Sequence, residues 1–400
     1  MNTHERMIHF LQNYIRIETT YPDADYAGAV ALLKEQALLD GFGYQEVHLS
    51  SGFPVVIITY QGSDESLPSL VLNHHMDVVP VPNPEEWLRP PFEGAVVDGM
   101  IIGRGTQDMK GVGVVHYFAL KALKDSGVKL MRTIHLIAVP DEERGGFEGT
   151  KLFIETESFA QLNVGFIIDE GSASGDPSSL LIKIDERKPL QVKLTARGDL
   201  AHGSKLAARN AIHDLNQLLQ HVVAHHAEQQ KLLSHTDPGH LLSMNITSLY
   251  AGAYKNSKVA LNVVSDSAIA TIDIRIPPTL DIQQILSWLE DKLQLFPSIT
   301  LHIEATVDER PARADHETML YAALAKAIKI HNKNPKPFVT EGASDLRFYL
   351  QRGIDGVGFS PFTNEDNIHG TNEAISIVDM IEAKAILLDF LKFMCTEKED

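Results

Sequence analysis

The sequence predicts an α/β fold in which a larger, discontinuous domain is interrupted by a smaller insert. Three observations carry the prediction. Strand-like and helix-like segments alternate between about residues 54 and 169, a run of order βαββαβ begins near 189, and helix-like segments resume after about 308. The expected domains are therefore 1–188 together with 308–400, and an inserted domain over 189–307.

Residues 4 to about 45 favour helices, with ADYAGAVALLKEQALLDGFG setting apolar residues at helical spacing ahead of glycines that can end the segment. PVVIITY (54–60) and SLVLN (69–73) are short and rich in branched apolar residues, as strands are. A Pro/Gly-rich passage over 80–107 leads into helix-like MKGVGVVHYFALKALKDSG, and TIHLIAV (133–139) and VGFIID (164–169) are the next strands. In the insert, PLQVKLTARG is a strand, LAARNAIHDLNQLLQHVVAHHAEQQ a helix, and LLSMNITSLY and KVALNVVSDSAIATIDIRI two strands. DIQQILSWLEDKLQLF and SITLHIEATV complete it as a helix and a strand, giving two layers with helices on one sheet face. HETMLYAALAKAIKI and TNEAISIVDMIEAKAILLDFLKFM then return to helix, and no fixed-period repeat spans the chain.

Composition excludes several classes. The N-terminus MNTHERMIHF lacks the basic-then-apolar pattern of a secretory signal, and no stretch approaches the roughly 20 apolar residues of a membrane span. Cytoplasmic residence with no membrane partner is the expectation. The single cysteine, Cys395, rules out an internal disulfide framework and argues against a thiol nucleophile. A net charge of -18, from 53 acidic against 35 basic residues, argues against a nucleic-acid-binding surface. It does not exclude small anions, because a few arginines or a metal reverse the field inside a pocket.

The chemistry gathers at strand ends. His75 and Asp77, one residue apart after an apolar strand, share a side and can orient ligands, although a lone pair of this kind also fits a satisfied edge histidine. Asp108 in GRGTQDMKG sits at a loop-to-helix transition, where a carboxylate can bridge two cations or simply cap the helix. AVPDEERGG ends a third strand with the adjacent Glu142 and Glu143, which can point apart in a turn and serve as base and ligand. IIDEGS brings Glu170 to a comparable place, and His369 in NEDNIHGTNEA supplies a late imidazole. His75, Asp108, Glu143, Glu170 and His369 thus offer one bridge and four terminal ligands for a two-metal centre, with Glu142 as candidate base. Nitrogen and oxygen donors without cysteine suit zinc, with cobalt or manganese as substitutes, and the chemistry expected is metal-assisted hydrolysis.

Taken together, HHMDVVPV, WLRPPFEG, GRGTQDMKG, VPDEERGG and IIDEG resemble the aminoacylase-1 branch of the aminoacylase/carboxypeptidase/desuccinylase zinc metallopeptidase family. The resemblance covers nearly the whole chain. It implies a di-zinc aminopeptidase/carboxypeptidase-like catalytic domain with a mixed sheet, an inserted ferredoxin-like dimerisation (lid) domain, two Zn2+ per subunit and a homodimer. It further implies that His75 and Glu170 hold one zinc, that Glu143 and His369 hold the other, and that Asp108 bridges them. By the same resemblance Asp77 orients His75, Glu142 is the general acid/base, and the Asp108–Met109 peptide is cis.

The resemblance extends to the substrate side. His202 in ARGDLAHGSKLAARNA matches a histidine that stabilises the oxyanion, often from the partner subunit. Asn262 and Arg275 resemble substrate-facing positions, but strand alternation also puts Asp273 beside Arg275, where a local ion pair competes. TEGASDLRF resembles a substrate-binding loop, in which Gly342 allows close approach and Arg347 recognises a carboxylate unless Asp345 holds it. The implied reaction is hydrolysis of N-acyl aliphatic L-amino acids; dipeptidase or metallocarboxypeptidase activity is the nearest alternative, and a nonhydrolytic metal-binding scaffold the alternative of a different class.

Overall fold

The computed structural model describes residues 2–252, 254–255, 258–304, 317–364 and 367–396. The chain divides into two compact units: Met1–Ile184 with Asp315–Phe338 and Ser344–Asp400, and Asp185–Ala314 with Val339–Ala343.

In the first unit, eight strands among the described residues form one mixed sheet. Their order is Gly43–His48, Pro54–Tyr60, Ile134–Val139, Ser69–His75, Val164–Asp169, Asp355–Gly358, Ser179–Glu186 and Asn334–Thr340. Ile134–Val139, Ser69–His75, Val164–Asp169 and Asp355–Gly358 run parallel, in register His75↔Val139 and Gly358↔Asp169. Parallel strands are buried on both faces, which is why the first three of these segments read as apolar runs. Leu70 and Leu72 face a core shared with the helices Thr3–Arg16, Tyr26–Leu39, Lys110–Asp125, Met319–Ile330 and Ile377–Cys395, while Val71 faces a second core with Phe153, Phe159, Leu346 and Tyr349. Two helical layers thus sandwich the sheet, and the C-terminal ends of its parallel strands open side by side, where α/β sheets bind ligands.

The second unit has the expected βαββαβ order: Lys188–Arg197, helix Ala211–Leu232, Ser243–Ala251, Ser267–Ile276, helix Ile282–Leu293 and Ile299–Ile303. Its antiparallel sheet, in the spatial order second, third, first and fourth strand, has the ferredoxin-like topology. Alternation decides the core: Leu190, Val192, Leu194 and Ala196 pack with Ala268, Ala270, Ile272 and Ile274 under Leu215, Leu218, Leu219 and Val222 of the first helix. The final strand ends at Ile303, and the remainder of SITLHIEATV after Glu304 lies outside the described residues.

Candidate metal centre

Three of the four parallel strands of the first unit end at or shortly before a site residue. Ser69–His75 runs two residues beyond the apolar segment and carries His75, which is 1% exposed, to its last position. After Val139 the chain turns sharply, with Asp141 at φ 71° and Gly145 at φ 98° flanking Glu142–Arg144. These left-handed bends aim the adjacent glutamates apart. Val164–Asp169 delivers Glu170, and Gly358 on the neighbouring strand is required by its approach to the Glu170 carbonyl, which a Cβ would meet at 2.0 Å.

Asp108 lies between two imidazoles. Its Oδ1 is 2.8 Å from His75 Nε2 and its Oδ2 is 3.1 Å from His369 Nε2. His75 Nε2 is also 3.3 Å from Glu170 Oε2, and His369 Nε2 is 3.1 Å from Glu143 Oε2. The Asp108–Met109 peptide is cis. Donor atoms of His75, Asp108 and Glu143 lie within 4.8 Å of one another, as do those of His75, Glu142 and Glu170. His75 Nδ1 lies 2.9 Å from the Asp77 backbone carbonyl and donates there, which turns Nε2 toward the carboxylates, where a cation would displace its proton.

The Asp77 carboxylate has a different occupation. It stands 3.8 Å from His75 Nδ1 and accepts from the backbone N–H groups of Glu142 (3.3 Å) and Glu143 (3.0 Å). It therefore fastens the turn that presents both glutamates.

Electrostatics reflect crowded acids. Burial, with the negative charge of Glu170 next, holds the Glu142 carboxyl well above the usual range. Glu143 is pushed up to about 7, first by burial and then by Asp108. Hydrogen bonds with Asp108 and Glu143 raise His369 to about 10. Burial by itself would depress His75, but its bonds to Asp108 and Glu170 carry it well above the ordinary value. Asp108 moves down despite burial, because both imidazolium rings stabilise its charge. Glu143 Oε1 is buried without a hydrogen-bond partner. A set of carboxylates and imidazoles with one such oxygen unsatisfied fits divalent cations, which would take the place of these protons.

The family model for "Peptidase family M20/M25/M40" matches residues 71–392. The chain belongs to this family. Mouse aminoacylase-1 is 33% identical over 91% of this chain and 89% of its own length. In fold, the chain is similar to an M20 family metallo-carboxypeptidase from Sulfolobus solfataricus (TM-score 0.76, 22% identity, 98% and 99% of the two chains). It is also similar to the YXEP protein of Bacillus subtilis, described as a dinuclear metal-binding peptidase of the M20 family (TM-score 0.67, 13% identity, 97% of each chain).

Within this M20 chain the remaining predicted residues are distributed as follows. Arg347, in the first unit, donates to the Gly145 carbonyl at 2.6 Å and lies over the Phe348 ring at 4.6 Å, so its guanidinium braces the loop after the glutamates. His202, Asn262, Arg275 and Gly342 belong to the second unit. His202 is exposed, in the short strand Ala201–His202, and its Nδ1 accepts from the Ser204 backbone N–H at 3.2 Å. In the neutral ring Nε2 is then the donor. The Asn262 carbonyl accepts from Gly203 N at 2.6 Å, beside that histidine. Arg275 forms a fork with Asp273 at 2.7 and 3.2 Å, and Gly342 stands with open space where a Cβ would be.

Sequence reasoning passed over three groups here. Lys183, 2% exposed, sets Nζ 3.7 Å from Glu170 Oε1 and 2.7 Å from Ser344 Oγ. Its one sequence signal is a lysine inside the apolar run SLLIKIDE. Buried Arg104 and Glu373 carried none, since GRG and TNE read as solvated loops.

Proposed function

We propose that the chain is a zinc-dependent amidohydrolase that converts N-acyl aliphatic L-amino acids and water into a carboxylate and a free L-amino acid. The observation that carries this reading is Asp108, whose two carboxylate oxygens each face a histidine nitrogen, with Glu142 and Glu170 beside His75. The likeness to aminoacylase-1 supports the substrate class. His75 and Glu170 would hold one Zn2+, Glu143 and His369 the other, and Asp108 both; Co2+ or Mn2+ would suit the same donors. Such cations supply an acidified water and positive charge where the carbonyl oxygen becomes negative.

The protein's own groups perform the proton work. Glu142 accepts the proton of the attacking water and delivers it to the departing amine nitrogen, without which that nitrogen is a poor leaving group. Glu142 stands beside His75 and Glu170 without being an assigned ligand, which leaves its carboxylate for the proton between those steps. Asp77 keeps Glu142 and His75 in place. His202, with Nε2 as its donor, would bind the carbonyl oxyanion, and Asn262, Arg275, Gly342 and Arg347 the substrate; these roles rest on their motifs.

A cytoplasmic homodimer assembled through the second unit is part of the same proposal. Ser243–Ala251 is an edge strand of that unit's sheet and exposes Leu249 (60%) and Tyr250 (68%), an edge suited to a second copy. No helix among the described residues is long and apolar enough to cross a membrane.

Turnover of zinc-loaded protein, read as free-amine release across matched panels of N-acetyl amino acids and dipeptides with a chelated control, tests the reading. Preference for neutral N-acetyl amino acids, lost on chelation, is expected. Preference for dipeptides would move the protein to the peptidase branch, and turnover indifferent to chelation would overturn the metal mechanism.

A further inference from the structure

The loop Gly103–Asp108 is held from one side by a single carboxylate. Glu373, fully buried, accepts at Oε1 from the backbone N–H groups of Gln107 (2.7 Å) and Asp108 (3.2 Å), and at Oε2 from Gly105 N (3.1 Å) and Arg104 Nη1 (2.8 Å). The Gly103 N–H donates to the Glu373 backbone carbonyl at 2.9 Å. Arg104, 2% exposed, uses its other terminal nitrogen to donate to the His369 carbonyl at 3.1 Å, and its guanidinium stacks 5.3 Å above the Trp87 ring. Gln107 completes the connection by accepting from Asn367 N at 3.1 Å.

Two candidate ligands separated by more than 260 residues are thereby tied to one ion pair: Asp108 through its own N–H on Glu373, and His369 through its carbonyl on Arg104. His369 adopts φ 63°, a left-handed conformation uncommon among non-glycine residues, and its carbonyl is held there by Arg104. Burying both charges is costly unless they are hydrogen-bonded; here five donors, Thr106 Oγ1 at 3.5 Å among them, converge on the carboxylate, and the guanidinium bonds through both terminal nitrogens while its Nε has no partner. His75 and Glu170 draw no such contact from this pair; their supports are the Asp77 carbonyl and Lys183.

We infer that Arg104 and Glu373 are positioning residues that set the shared Asp108 against His369, and so govern the affinity of the cation at Glu143 and His369, whose histidine is tied directly to Arg104, more than that of the cation at His75 and Glu170, which meets this pair through Asp108 alone. The inference rests on the two-cation reading above. Groups that support ligands from behind change metal affinity by about 10- to 100-fold when altered, and the asymmetry between the two cations separates positioning from a general loss of stability.

The test is stepwise Zn2+ binding to metal-free protein against a chromophoric chelator, with Co2+ absorption as a second readout, in the parent, Arg104→Lys, Glu373→Gln and the references His369→Ala and His75→Ala. Arg104→Lys keeps the charge and the fold but cannot reach Glu373 and His369 together. It is expected to bind one cation like the parent and the other about tenfold or more weakly, with a residual Co2+ spectrum matching His369→Ala. Glu373→Gln should lose more; if it does not fold, Arg104→Lys decides alone. Binding of both cations as in the parent, or equal weakening of both, overturns the inference. A parent that binds no pair of cations overturns the metal-centre reading instead.

Discussion

At the residue scale, the centre is a competition between protons and cations for one set of donors. With His369 raised to about 10 and Glu143 to about 7, metal-free protein carries protons at pH 7 that a bound cation must displace. Zinc uptake at neutral pH is therefore expected to release protons, and apparent affinity to rise as pH rises toward about 10; a weakly buffered titration with an indicator measures this, and proton-neutral uptake would contradict it. The sign for stability is opposite. Because the folded-state value of His369 lies above its unfolded value of roughly 6.5, its contribution to the metal-free fold is complete below that pH and is lost as pH rises through about 10. Glu142 gives a separate expectation. Glu142→Gln should keep both cations, since Glu142 is no assigned ligand, yet lose about 10²- to 10⁴-fold in kcat; near-parental turnover at full metal occupancy would remove it from the mechanism.

At the scale of elements, what matters is where strands stop. Apolar runs end, and the next one to four residues carry the polar groups, so His75, Glu142, Glu143 and Glu170 stood out as candidates from spacing. Other strands gave weaker signals. Ser179–Glu186 buries Lys183, Asp185 and Glu186, which breaks the apolar pattern, and Asn334–Thr340 contains two prolines and lies at the sheet edge, where proline is tolerated. Asp355–Gly358 is only four residues, two of them glycine. In the second unit, the helix Ile282–Leu293 starts with a capping box in which Asp281 accepts from the backbone N–H groups of Gln283 and Gln284, and the Gln284 side chain bonds back to the Asp281 backbone. Asp281→Ala should therefore cost about 1 kcal/mol of unfolding free energy, read by urea denaturation, without altering cation binding. An equal loss of cation binding would show that this helix bears on the centre.

At the scale of the whole molecule, every candidate cation ligand belongs to the first unit. Zinc should raise the unfolding temperature of that unit selectively, by a free energy of about 2.7 kcal/mol at a hundredfold excess over Kd, while a calorimetric transition of the second unit stays in place. A shift of the second transition instead would contradict the assignment of ligands.

The sequence by itself determined the α/β class, the βαββαβ insert and the acids and imidazoles of the centre. Those features follow from periodicities of two and 3.6, from polar residues at or just past strand ends, and, for Asp108 and His369, from the loop motifs GRGTQDMKG and NEDNIHGTNEA, all within a few residues of chain. Tertiary structure alone decided the rest. The Asp77 carboxylate turned to the backbone of Glu142 and Glu143, Arg347 bonded Gly145, and Arg104 and Glu373 closed on each other across 269 residues. A hydrogen bond has no sequence signal when its partners meet only through folding, so an acidic residue in a loop reads as solvated until the chain that buries it is in place.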